Sequence, residues 1–402
     1  MDAQGFIALK NCGSTTWMAV VLLLLLLVPQ TSHAQTEEAN PWFIRTGVTP
    51  SFIISANPFG NPDHPGGPVN WGQNLTFEIG RQTDGKEEWH QLYGVPSYGF
   101  GFSLSSFQND VEHTRPMEAY TFFSWPFAAL TDRLDLTTEF GMGFSWHWKE
   151  VTNSAQSYQS SLGSDLNARI DWGFYLRYVT SPQITLLTGI DYTHRSNGGM
   201  VQPDIGINVI GPKVAVQYNL APSPIRRRSV QPGPFSPSWA FLAGVIGGNK
   251  NVIESKDPLM RGNYWSLDGT AAIQRHFYRF GKITLGTDLT YDGATGVRID
   301  DTNTKWRANP LDRLALGFYG GYEHVIGRFG AIVEVGDNAV RGFDAASVPR
   351  LYERFGWRYH INDSYWASFS VRAVDGRRAD ALQFGIGYRT KIFDKNVRSS
   401  NP

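Results

Sequence analysis

The 402-residue chain balances 36 Lys+Arg against 36 Asp+Glu, holds 42 glycines and 14% aromatic residues, and contains one cysteine. Even charge gives no electrostatic footprint for nucleic acid and no acidic tail. Cys12 lies in a segment expected to be removed, which leaves no disulfide framework and no thiolate chemistry.

The first segment has Lys10, an unbroken apolar run over residues 17–28, and Ser32-His33-Ala34 as a small-residue cleavage site, so residues 1–34 read as a secretory signal peptide and the mature chain begins at Gln35. Cys12 precedes the apolar run and is therefore no lipoprotein anchor. Beyond the signal no window approaches about eighteen consecutive apolar residues, which excludes a helical membrane span. The apolar residues are dispersed, and dispersed alternation is the pattern of a barrel wall.

Along the chain the first two strands and residues 88–107 are irregular in pattern. Residues 134–148 are regular. Leu134, Leu136, Thr138, Phe140, Met142, Phe144, Trp146 and Trp148 fall on one face, and Asp135, Thr137, Glu139, Gly141, Gly143, Ser145 and His147 on the other. Residues 168–178 repeat this with Ile170, Trp172, Phe174 and Leu176 against Arg169, Asp171, Tyr175 and Arg177. The same grammar returns at 283–291 and closes the chain at 382–392 through Phe384, Ile386 and Tyr388. A period of two means strands.

The segments number roughly sixteen, with fourteen as the alternative, in an all-β transmembrane antiparallel up-and-down barrel over residues 35–393 with a tail at 394–402. Short turns fall at Thr131-Asp132, Ser181-Pro182-Gln183, Phe280-Gly281, Gly327-Arg328 and Asn362-Asp363, and long loops alternate with them. An even strand number puts both termini on the periplasmic side. Residues 221–236, with Pro222, Pro224, Pro232, Pro234 and Arg226-Arg227-Arg228, lie where a short turn belongs. They read as a long periplasmic loop inside one barrel, the alternative being a boundary between a smaller barrel and a second module. The arginine triplet is a solvated basic loop, or else a headgroup or partner contact.

The segment Asp191-Tyr-Thr-His194-Arg-Ser196-Asn197 carries the chemistry. Its even positions are the apolar ones, so His194 and Ser196 leave the lipid-facing side with Cα atoms about 7 Å apart. An imidazole that spans that gap can take the serine proton and return it to a leaving group. This strand leaves the short turn at 181–183 and runs outward, so its tip meets the outer leaflet. Taken alone, His-x-Ser is a weak signal, because histidine suits the interfacial belt of a barrel and serine suits any strand end. The remaining mature histidines, His64, His90, His113, His147, His276, His324 and His360, have no metal-ligand spacing and read as wall or loop residues. Neither a Gly-x-Ser-x-Gly elbow nor a phosphate loop is present.

The run His194-x-Ser196-Asn197-Gly198, followed by Pro203-Asp204-x-Gly206-x-Asn208, resembles the outer-membrane lipid A deacylases and the wider acyloxyacyl hydrolase-like group. Residues 92–99 and 122–127 resemble the strands that precede the active segment in that group. The resemblance is sharp over roughly 92–220 and architectural afterwards; the best-known members end as eight-stranded barrels where this chain reaches Leu220, and this chain resembles the longer ones.

The resemblance implies Ser196 as nucleophile and His194 as base, with Asn197 and the backbone N–H groups of Gly198 and Gly199 as oxyanion donors. The family's third catalytic residue is a glutamate fourteen positions after the histidine, where this chain has Asn208. An asparagine can orient an imidazole but cannot stabilise an imidazolium by charge; Asp204 is the alternative orienting residue. The expectation is thus an outer-membrane serine esterase that removes an ester-linked acyl chain from lipid A or a related glycolipid of the outer leaflet. It needs no cofactor and no metal, and it is compatible with a homodimer. The rival expectation is a non-catalytic barrel of the same family, a channel or a lipid-binding structural protein. A soluble periplasmic β-protein would require the apolar faces to pack on each other.

Overall fold

The computed structural model describes residues 41–54, 69–108, 115–148, 162–201, 204, 206–222, 234–253, 261–295, 298–299, 305–306, 309–341, 349–374, 376 and 378–393. The expected signal peptide and the 394–402 tail lie outside these residues, as do the arginine triplet, His64 and His113.

Sixteen long strands form the wall, and they close as two rings of eight. The first ring is β1 (Trp42–Ile53), β2 (Trp71–Gln82), β3 (Ser97–Phe107), β4 (Met117–Ala129), β5 (Leu134–Trp146), β6 (Asn167–Val179), β7 (Ile184–Ser196) and β8 (Ile207–Asn219). It closes where Phe43 of β1 pairs with Asn219 of β8. The second ring begins with β9 (Ser238–Ile253), β10 (Arg261–Tyr278) and β11 (Gly281–Asp292). A two-residue pair, β12 (Arg298–Ile299) and β13 (Lys305–Trp306), lies in the following connection. The ring continues with β14 (Leu314–Ile326), β15 (Phe329–Arg341), β16 (Leu351–His360), β17 (Tyr365–Val374) and β18 (Arg378–Phe393), and β18 pairs back onto β9.

The strand count of sixteen and the antiparallel alternation are as the sequence indicates, but the single ring is not. Alternation fixes which face of a strand is apolar and is identical for one large ring and two small ones. Closure depends on which strand pairs with β1, and that partner is β8. The connection 221–236 is therefore the boundary between two barrels, the reading set second above. The irregular stretch 88–107 resolves into one helical turn, α1 (Glu88–Leu92), followed by β3.

Strands of 12 or 13 residues recur in the first ring, which at about 3.3 Å per residue exceeds the ~30 Å hydrocarbon core and fits tilted strands. Outward positions are exposed apolar ones: Trp172, Phe174 and Leu176 on β6, Ile283, Leu285 and Leu289 on β11, Phe384 and Ile386 on β18. Trp42, Tyr98, Tyr178, Trp239, Tyr278, Tyr359, Tyr365 and Tyr388 form an exposed aromatic girdle at the short-turn end, as interfacial belts do.

Inward positions are charged, and they are paired. In the first barrel Arg45 donates to Glu78 and, at 2.6 Å, to Glu139; Arg169 bridges Glu118 and Asp171, both at 2.9 Å; Arg195 donates to Glu118; and Lys213 sits 3.5 Å from Glu139. Buried apolar clusters flank this network, with Phe107, Trp148, Leu162, Ile207 and Val209 at the loop end and Phe43, Tyr120 and Phe122 nearer the turn end; Trp148, expected on the outer face, turns inward because β5 ends at Trp146 and His147 takes φ +70°. In the second barrel Arg354 reaches Asp268 (3.1 Å), Asp288 (3.0 Å) and Glu334 (2.6 Å), and Arg372 reaches Asp268 at 3.0 Å. Asp171, Lys213 and Gln217 are likewise buried inside the first barrel.

The two barrels belong to one compact unit. At the turn end the Tyr93 hydroxyl donates to the Val325 carbonyl at 2.6 Å and lies 2.8 Å from His324 Nε2, and Glu88 of α1 pairs with Arg279. Midway, Phe140 meets Trp357 edge-on with centroids 5.3 Å apart.

Asp268 is fully buried and accepts from Arg354, Arg372, Gln383 and Thr290. Replacing it with alanine strands a buried guanidinium, at a cost of about 3–5 kcal/mol. Asp268→Ala should lower the midpoint of urea unfolding in detergent or bilayers well below that of the parent chain; an unchanged midpoint would count against a charge-filled interior.

Candidate active site

Strand parity sets the site. On β7, Thr193 and Arg195 are buried inside the first barrel, and Arg195 is anchored there by Glu118. Its neighbours His194 and Ser196 therefore project from the outer face, both half-buried. The β7–β8 register sets His194 directly opposite Asn208.

His194 Nδ1 lies 2.7 Å from Asn208 Oδ1, and the same oxygen accepts the Tyr192 hydroxyl at 2.7 Å. A carbonyl oxygen can only accept, so it places the imidazole proton on Nδ1 and leaves the Nε2 lone pair free. That is the tautomer a general base needs. None of the hydrogen bonds among the described residues joins Ser196 to His194; the two share a face one strand repeat apart.

Behind the imidazole stands Gly206, with φ +78°. A Cβ built there would lie 2.8 Å from His194 Cε1. Only glycine provides both the positive φ and the room for the ring. Tyr192 and Gly206 belong to the arrangement around His194 but are given no part in it by the sequence pattern. The signal for Tyr192 was its position two residues before His194 on the same face; Gly206 was quoted in the motif without a role.

The loop after β7 turns through Gly198 (φ +67°) and Gly199 (φ +82°). Its N–H groups converge on a carboxylate: Asn197 N donates to Asp204 Oδ1 at 3.0 Å and Gly199 N to Asp204 Oδ2 at 2.8 Å. The Asn197 side chain bonds the Val201 backbone in both directions, at 2.6 and 3.1 Å. Asp204 thus caps this loop while Asn208 holds the imidazole. Of the donors expected for an oxyanion, the Gly198 and Gly199 N–H groups are both turned to Asp204, and the Asn197 amide is taken by Val201. Burial raises the Asp204 carboxyl above its ordinary value even though the N–H groups, and nearby His194, pull it down. Among the described residues no group of three or more His, Cys, Asp or Glu side chains could hold a metal ion.

Two closed rings of alternating strands with an aromatic girdle make this an outer-membrane β-barrel protein. The family model described as lipid A 3-O-deacylase (PagL) matches residues 75–217, and the one described as acyloxyacyl hydrolase, C-terminal domain, matches residues 238–392. The two matches follow the two barrels, and the chain belongs to this lipid A 3-O-deacylase and acyloxyacyl hydrolase family. No curated protein sequence matches it. Among solved structures it is similar to the Neisserial surface protein A (9% identity, 46% of this chain and 100% of that one, TM-score 0.31). It is also similar to the outer membrane enzyme PagL (16% identity, 44% and 98%, TM-score 0.28) and to a mutant Rh. blastica porin (11% identity, 87% and 99%, TM-score 0.17).

Gly206→Ala should push the imidazole off Asn208 and add about 1–2 kcal/mol of backbone strain. Two-dimensional NMR of the histidine side chains should show His194 losing its protected Nδ1–H signal; a signal kept as in the parent chain would contradict the packing described.

Proposed function

We propose that the protein is an outer-membrane serine esterase that removes an ester-linked acyl chain from lipid A or a related glycolipid. The observation that carries this reading is the outward-facing His194, held by Asn208 at 2.7 Å with Ser196 beside it on the same face of β7. A lipid substrate diffuses laterally to such a face and needs no lumen.

His194 Nε2 takes the Ser196 hydroxyl proton as Oγ bonds to the ester carbonyl carbon. The tetrahedral intermediate collapses, its C–O bond to the sugar breaks, and the departing alkoxide takes the proton from His194. Water, deprotonated by the same imidazole, then releases the fatty acid from Ser196. Pairs of this kind tighten when substrate is bound. Asn208 orients the ring without offering a counter-charge, so the imidazolium is less stabilised than beside a carboxylate. Cleavage of residues 1–34 at the inner membrane and residence in the outer membrane complete the proposal.

A second reading, a non-catalytic lipid-binding barrel, is favoured by one observation: Asp204 occupies the N–H groups that an oxyanion would use. The channel version has less support, because charged inward residues such as Arg45, Glu118 and Asp268 are buried from water.

Lipid A from cells that express the parent chain should lack one acyl chain by mass spectrometry, and lipid A from cells with Ser196→Ala should be intact. Intact lipid A in both would leave the second reading standing. Asn208→Ala should lower kcat by roughly 100-fold or more by releasing the imidazole tautomer, and Asn208→Glu should raise it; an Asn208→Glu chain slower than the parent would count against the role given to Asn208.

A further inference from the structure

On β18 the outward positions Phe384 and Ile386 are 63% and 69% exposed, but Leu382, on the same face, is only 7% exposed. Its cover comes from the other barrel. A Cβ on Gly198 would lie 3.1 Å from Leu382 Cδ1, and one on Gly199 would lie 2.9 Å from the Ala379 carbonyl and 3.0 Å from that of Asp380. The Gly199 carbonyl accepts a hydrogen bond from the Asn251 backbone N–H at 3.1 Å.

These contacts sit at a defined place. The β9–β18 ladder ends at Leu382↔Asn249. Beyond it β9 continues to Ile253, paired only with β10, and the edge N–H of Asn251 finds Gly199 in place of β18. The loop that follows Ser196 thus enters the seam where the closing strands of the second barrel part.

We infer that the second barrel is the positioning element for the catalytic loop. Leu382 and Asn251 fix Gly198 and Gly199, and through them the orientation of Ser196 two residues upstream. The inference rests on the esterase reading for its consequence in rate, but the clamp itself can be measured separately. Fixing the loop requires no side chain on either glycine, since a Cβ would strike Leu382 or the β18 backbone. It also gives the second barrel a task that a solitary eight-stranded ring lacks.

The experiment uses the full chain in detergent. Leu382→Ala removes the contact, Leu382→Met restores bulk, and Asn251→Pro removes the donor to Gly199. Hydrogen exchange of the peptide containing residues 197–201 should quicken about tenfold in Leu382→Ala and Asn251→Pro and return toward the parent rate in Leu382→Met. Deacylation kcat should fall by on the order of tenfold in the same two variants with KM little changed, and recover in Leu382→Met. Unchanged exchange in both variants overturns the clamp whatever the activity. Faster exchange with unchanged kcat overturns its positioning role. A parent chain that deacylates nothing, with exchange responding as expected, overturns the esterase reading and leaves the clamp as a structural contact alone.

Discussion

A wall that faces hydrocarbon must satisfy every backbone N–H and C=O within itself, since lipid offers no partner. Here that requirement is met twice, by β1 pairing with β8 and by β9 pairing with β18. Each closed ring then imposes strict in-and-out parity on its strands. Everything about the site follows from that parity: Arg195 inside on Glu118 forces His194 and Ser196 outside, and the register that closes β7 on β8 brings Asn208 opposite the imidazole.

The interiors are small enough for side chains to fill, as expected for eight strands. Filling them with charge demands near-complete pairing, because an unpaired buried ion costs several kcal/mol. The arginines answer this with multiple carboxylate partners, Arg354 alone touching three. The result is two filled cylinders, with the candidate site on the outer face of the first, where Asn208 holds one ring nitrogen of His194 and Gly206 leaves room beside the ring.

Much of the fold was legible in the sequence because alternation is a local property. The faces of β5, β6, β11 and β18, the short turns, and the count of sixteen strands all follow from neighbours two residues apart. Ring closure is not local: Phe43 and Asn219 are far apart in the chain, and nothing in either strand states which edge it seeks. At the site, the outward parity of His194 and Ser196 and the fourteen-residue spacing to Asn208 were readable. The task of Asp204 was not, because a loop carboxylate that caps backbone N–H groups looks in sequence like one that could reach a histidine. Leu382 and Asn251 were beyond reach for the same reason as closure, since their partners, Gly198 and Gly199, belong to the other ring.

The chain passes from one barrel to the other once, between Asn219 and Ser238. A short tether of this kind holds its two modules at an effective concentration of roughly millimolar, so their association can be weak and still persist. Contacts between the cylinders, among them Tyr93 on Val325, Glu88 on Arg279, Phe140 on Trp357 and Gly199 on Asn251, act together with that tether. Covalent linkage thus supplies mutual avidity, so the contacts between the cylinders need not carry adhesion alone.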